Sequence, residues 1–283
     1  MTSIGKSLYW IGVALAACTA VLALQFIASE TVTAWFSASA VGWLVALGVA
    51  LVLARRHGLF AIVGALFAAL VLGRLYGTFR PEGGANMTND PLLLAETGPG
   101  VPGVMWAATA LALVLVLWIA DFIRSNRKNT PWGPVSDETW GLFFIRNYVG
   151  MMFIAHFSGH IFAGPAQFAI FESYFGSIGL QPAAAMVVLG GISEVVAGIG
   201  LCLGLFTRFA ALIGASFLFF SMLWGEHFPI GYIWILPNGG WEFGIFWAVM
   251  VAVFVVLGGG TLSLDRIRRA GKHGAVALHQ PLS

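Results

Sequence analysis

Hydrophobic positions fall in long unbroken runs separated by short polar segments. Eight runs can be drawn, at about 8–27, 36–54, 59–76, 104–123, 142–162, 183–204, 207–224 and 243–260. Each is close to the roughly 20 residues needed to cross a hydrocarbon core of about 30 Å. Lipid cannot satisfy backbone N–H and C=O groups, and the runs show no alternation of apolar and polar positions. They therefore predict helices and not barrel strands. The pattern reads as an all-α polytopic membrane protein with about eight transmembrane helices, arranged as two four-helix halves.

The polar segments give an orientation. Lys6, the pair Arg55 and Arg56, the group Arg124, Arg127 and Lys128, Arg208, and the group Arg266, Arg268, Arg269 and Lys272 all fall on one side of an eight-span chain. The positive-inside rule places that side, with both termini, in the cytoplasm of a cell inner membrane. The opposite side carries Glu30, Arg80, Glu82, Asp90, Glu96, Glu172, Glu226, His227 and Glu242. The expected organisation is an amino-terminal membrane half over 1–125, a cytoplasmic linker over 126–141, a second bundle over 142–268 and a cytoplasmic tail over 269–283. The loop 77–103, rich in Gly, Pro and Asn, is expected to be irregular. The Phe-rich segment 165–180 predicts a short helix in the outer interface, and 228–241 a second, irregular interfacial element.

Composition agrees with this pattern. The chain has 283 residues, 59% hydrophobic and 9% charged, far from the quarter charged of an ordinary soluble domain. A net charge of +2 gives no reason to expect nucleic acid. Two cysteines, Cys18 and Cys202, both inside apolar runs, are too few for a disulfide scaffold. The apolar start after Lys6 is long enough to span, so the first run reads as an uncleaved helix.

Candidate chemistry lies where ionisable residues enter apolar runs, because such residues cost several kcal/mol in lipid and face protein or water. Arg74 and Asp121 lie near span ends, within reach of the interface. The fifth run is different. At 100° per residue Arg146, His156 and His160 lie within roughly 80° of one another, one polar stripe on an apolar helix. An i, i+4 histidine pair can hold a metal, carry protons or bond a quinone carbonyl. In the sixth run, Glu194 has Gly190, Gly191 and Gly198 within about 60° of it, a small-residue face that another backbone can approach. His156 or Arg146 is its expected partner. Glu226, His227, Trp241 and Glu242 lie at the outer boundary, where they can join His160 in an outward-facing substrate site or form a plain aromatic belt with solvated charges.

The segments RNYVGMMFIAHFSGHIFAGPAQFAIFESYFGSIGL, GGISEVVAGIGLCLGLFTRFAAL, NGGWEF and GGGTLSLDRI, spread over about 142–268, resemble the DoxX/DoxD family of small membrane proteins. The resemblance implies a four-helix membrane bundle. It also implies kinship with the large subunit of a thiosulfate:quinone oxidoreductase and with accessory subunits of membrane redox complexes. Arg146, His156, Glu194, Trp241 and Glu242 are the positions it carries over. Residues 1–125 lack these motifs. Three functions remain open at this point. One is a redox subunit that passes electrons from a small sulfur compound to quinone, with a small soluble or membrane redox subunit as partner. The second is a non-catalytic subunit that anchors a larger complex in the bilayer, and the third is a small-solute transporter. No metal can be assigned from spacing alone.

Overall fold

The computed structural model describes residues 2–80, 84–85, 100–233 and 239–277. The helices are α1 (Ser3–Ser29), α2 (Ala34–His57), α3 (Leu59–Gly77), α4 (Pro102–Ser125), α5 (Asp137–Met152) and α6 (Ile154–Phe157). After the π-helical turn Ser158–Phe162 come α7 (Pro165–Ser177), α8 (Ala183–Leu203), α9 (Thr207–Trp224), α10 (His227–Ile230), α11 (Glu242–Leu257) and α12 (Leu264–Ala277). Two small antiparallel pairs, Phe79–Arg80 with Gly84–Ala85 and Asn129–Thr130 with Gly133–Pro134, complete the described structure.

Among the described residues six helices, α1–α4, α8 and α9, are long and apolar enough to cross a membrane. The eighth run forms α11, apolar but only 16 residues long. The fifth run departs from a regular span: it is helical from Asp137, breaks at Phe153 and ends in the π turn. A Ser158–Gly159 pair sits at the start of that turn, the kind of sequence at which helices kink or widen. The Phe-rich segment forms α7, as expected, with Pro165 at its first position, where a missing N–H costs nothing. Glu82, Asp90 and Glu96 of the 77–103 loop, and residues 234–238 of the segment expected to form a second interfacial element, lie outside the described residues.

The chain divides into two compact units, Met1–Ser125 with Met152–Val195, and Asn126–Met151 with Val196–Ser283. In the first unit α3 packs against both α2 and α4, and α4 against α1. Its side chains from Leu59 to Tyr76 are mostly buried, which makes α3 the centre of that unit. Trp43 and Phe67 from this group stack on Phe157 at 6.1 and 5.8 Å, so the turn after α6 is held by aromatic contacts. The Trp35 indole donates to the Ile161 carbonyl at 2.8 Å. Asp121 is buried and bonded, with Thr2 donating to it and Arg124 at 3.2 Å.

In the second unit α9 packs against α11. Ser136 caps α5, its hydroxyl accepting from the Thr139 N–H at 3.2 Å, with Asp137 and Glu138 in the first turn where they complement the helix dipole. The loop between α8 and α9 is fixed by Asp265. Its carboxylate accepts from the N–H of Phe206 at 2.7 Å and from the N–H and hydroxyl of Thr207 at 2.8 Å each. Gly204 begins that loop at φ 64°, and a Cβ there would stand 2.0 Å from Arg146 Nη1, so no larger residue fits.

Burial alone raises the Asp265 carboxyl, but the bonds from Thr207 and Phe206 outweigh it and hold the group below its ordinary value. Its stabilising contribution is therefore complete above the unfolded-state value of about 3.9 and is lost as pH falls through the lower native value. Asp265→Asn is expected to lower stability by about 1–3 kcal/mol at neutral pH. Thermal unfolding in detergent across a pH series checks this. The difference between wild type and variant should be constant above about pH 5 and shrink in acid.

Candidate functional site

The site is built on the irregular end of the fifth run. The π turn closes i→i+5 bonds, so His160 does not follow His156 at the rotation of an α-helix. Arg146, His156 and His160 therefore do not form the single stripe that a regular helix predicts. His160 is instead turned toward α8, where its Nδ1 and Glu194 Oε2 share a hydrogen bond of 2.6 Å. Both side chains are buried, at 6% and 1% exposure. Glu194 thus has His160 as its bonded partner, and not the expected His156 or Arg146.

The small-residue face on α8 explains the approach. A Cβ at Gly191 would meet Ile161 Cγ2 at 2.5 Å and His160 Cβ at 3.1 Å, so only glycine lets the π turn come this close. Behind the pair, the His160 ring makes edge contacts with Phe171 at 4.3 Å and Phe175 at 6.0 Å, both on α7. The helix expected to lie in the interface therefore also walls the pair.

His156, on α6, is more exposed than His160 and lies within electrostatic reach of Glu194, His160 and Arg74. Arg74 is the residue that sequence reasoning passed over. It lies in the last turn of α3, and its Nε is buried without a hydrogen-bond partner. Ser158, at the start of the π turn, has a buried hydroxyl that is likewise unpartnered. A signal was present: in the notation of an eight-span chain, Arg74 falls at the same membrane depth as His156 and His160. The interface reading of Arg74 made that depth irrelevant.

The other expected site residues lie in the second unit. Arg146 is 1% exposed and donates from Nη1 to the Gly259 carbonyl at 2.9 Å and from Nη2 to Leu262 at 2.6 Å. Its hydrogen bonds tie α5 to the turn after α11, a clamping role. His227 shares a 2.9 Å bond between Nδ1 and the Gly239 carbonyl, and Glu226 is exposed with φ 60°. The Trp241 ring packs edge-on against Tyr232 at 4.8 Å, and Trp241 and Glu242 pair by backbone N–H with Gly231 and Tyr232. These contacts close the α10–α11 segment on itself.

Chemically, the His160–Glu194 pair is a buried histidine–carboxylate hydrogen bond in a low-dielectric setting. Among the described residues no group of three His, Cys, Asp or Glu comes together as a metal shell.

Comparison with curated proteins and with solved structures gives no match. A family model does match. Residues 141–227 fit the model described as DoxX, a stretch that includes His156, His160 and Glu194 and leaves Arg74 outside it. Residues 141–227, within the carboxyl-terminal half, therefore resemble a DoxX domain.

Proposed function

We propose that the chain is a membrane redox subunit that passes electrons from a small sulfur compound to quinone at a site near the outer membrane face. The observation that carries this reading is the buried His160–Glu194 pair at 2.6 Å. Reduction of a quinone to its quinol takes two electrons from the donor and two protons from the surroundings. Inside a bilayer those protons need a titratable chain to reach the ring oxygens, and a histidine bonded to a carboxylate supplies one.

In this reading His160 hands a proton to a quinone oxygen, and Glu194 fixes the tautomer and replaces the proton. His156 serves the second oxygen or conducts protons inward from the aqueous side. The Arg74 guanidinium stabilises negative charge that develops on the reduced ring. The unpartnered Arg74 Nε and Ser158 hydroxyl support the reading, because each costs about 1–3 kcal/mol while buried and unbonded, and a ligand oxygen removes that cost. A π turn at this position fits as well, since such turns recur at functional sites. Glu226, His227, Trp241 and Glu242 are proposed to meet the water-soluble donor. Residues 152–195 together with Arg74 of α3 would act as the catalytic portion, with the chain in the inner membrane and both termini in the cytoplasm.

Two outcomes are expected. First, Glu194→Gln should keep folded protein at near wild-type level while quinone-linked electron transfer falls at least tenfold, because an amide holds the hydrogen bond but carries no proton. Glu194→Leu should lose stability as well, by about 1–3 kcal/mol, since it removes the buried hydrogen bond to His160. Quinone reduction in membrane vesicles, normalised to protein abundance, measures both. Unchanged activity in Glu194→Gln would remove the proton role. Second, in a background without Cys18 and Cys202, a cysteine at Ser177 should react with an impermeant maleimide from outside the cell, and one at Asn129 should not. The reverse pattern would overturn the orientation.

A further inference from the structure

The second unit has a cleft of about 1290 Å³ between the α8–α9 loop and the segment that follows α11, lined among others by Phe206, Arg208, Leu257, Arg266, Arg268 and Arg269. Four of these six are arginines, and all four side chains are exposed. One carboxylate, Asp265, shares the cleft. Its oxygens accept from Phe206 and Thr207, and it lies within electrostatic reach of Arg269, whose Nε donates to the Asp265 backbone carbonyl at 3.2 Å; among the described residues it forms no salt bridge with Arg208, Arg266 or Arg268.

The apolar lining is unusual in its placement. Phe206 is held at φ 47°, a left-handed conformation that an aromatic residue rarely adopts, and is nevertheless 57% exposed. Arg268 lies 4.3 Å over its ring. Arg208 packs against Gly258, its Nε 3.2 Å from where a Cβ would stand, so the glycine lets the guanidinium lie along the end of α11. Exposed Phe206, Phe209 and Leu257 thus stand beside exposed arginines at the start of α9 and the end of α11. On α12, Leu264 and Ile267 are half-buried while Arg266, Arg268 and Arg269 face out. Apolar surface next to a cationic row at a helix end matches one chemistry: an acyl chain lying on the apolar part with a phosphate held by the arginines.

We propose that this cleft binds the phosphodiester headgroup of an anionic phospholipid of the basic-side leaflet. The arginines hold the phosphate, and Phe206, Phe209 and Leu257 contact the upper acyl chain. A resident lipid there would brace the α8–α9 loop against α12. This binding is independent of the redox reading and concerns a different part of the molecule.

The test uses the full chain, purified in mild detergent and equilibrated with equal amounts of phosphatidylglycerol and phosphatidylcholine, with retained lipid counted by native mass spectrometry. Wild type should retain phosphatidylglycerol in clear preference. Arg266→Gln and Arg268→Gln should each weaken that retention about fivefold, and more in combination. Both side chains are exposed, and Arg127→Gln, which removes a basic charge elsewhere, should leave the preference intact. Inorganic phosphate at millimolar concentration should not displace the lipid. Equal retention of the two lipids by wild type, which needs no variant, would overturn the proposal. So would an undiminished preference in the double variant. Displacement by inorganic phosphate would assign the cleft to a soluble phosphate instead.

Discussion

A charge inside a bilayer must be paired by protein, and this constraint governs the chain. An ionisable side chain at mid-membrane costs about 2.5–3.5 kcal/mol on insertion scales, and a hydrogen bond to a charged group returns about 1.5–3. The two nearly cancel, so a buried ionisable residue is tolerated only when its partner is held in place. Three such residues here are held, while Arg74 keeps a buried Nε without a hydrogen-bond partner. Glu194 has His160 at 2.6 Å, Arg146 has two backbone carbonyls, and Asp121 has Thr2 and Arg124. Asp265, at the polar boundary, obeys the same logic with three donors.

The pairing of His160 depends on backbone geometry as well as on charge. A regular helix through 142–162 would keep His160 in line with His156 and Arg146. The π turn at Ser158–Phe162 rotates it onto α8, and Gly191 lets the two backbones come close enough for the bond to form. Aromatic contacts from Trp43 and Phe67 to Phe157, and from Trp35 to the Ile161 carbonyl, hold the irregular segment in this position. The site thus draws on α2, α3, α7 and α8 within one unit. That unit combines residues 152–195 of the matched DoxX stretch with amino-terminal helices that lie outside it.

Much of this was legible in the sequence. Long apolar runs fixed the all-α membrane class, and the glycines around Glu194 showed that it faces a helix and not lipid. The choice of partner was not legible. Helical periodicity assumes one rotation per residue, and Phe153 and the Ser158–Gly159 pair break that assumption without altering hydropathy. Arg74 escaped for a related reason. A residue near a span end can snorkel or be buried, and only the packing of α3 at the centre of its unit decides between them. The clamp made by Arg146 was also hidden, because its partners are backbone carbonyls more than a hundred residues away, and carbonyls leave no mark on side-chain pattern.

The central claim is that quinone is handled at the His160–Glu194 pair. Photolabelling with an azido-quinone in native membranes, followed by mass-spectrometric mapping, tests it most directly. The account predicts adducts on the peptides that carry residues 154–177 and 183–203, suppressed by excess unlabelled quinone. Competable adducts confined to other helices, or none that excess quinone suppresses, would contradict it.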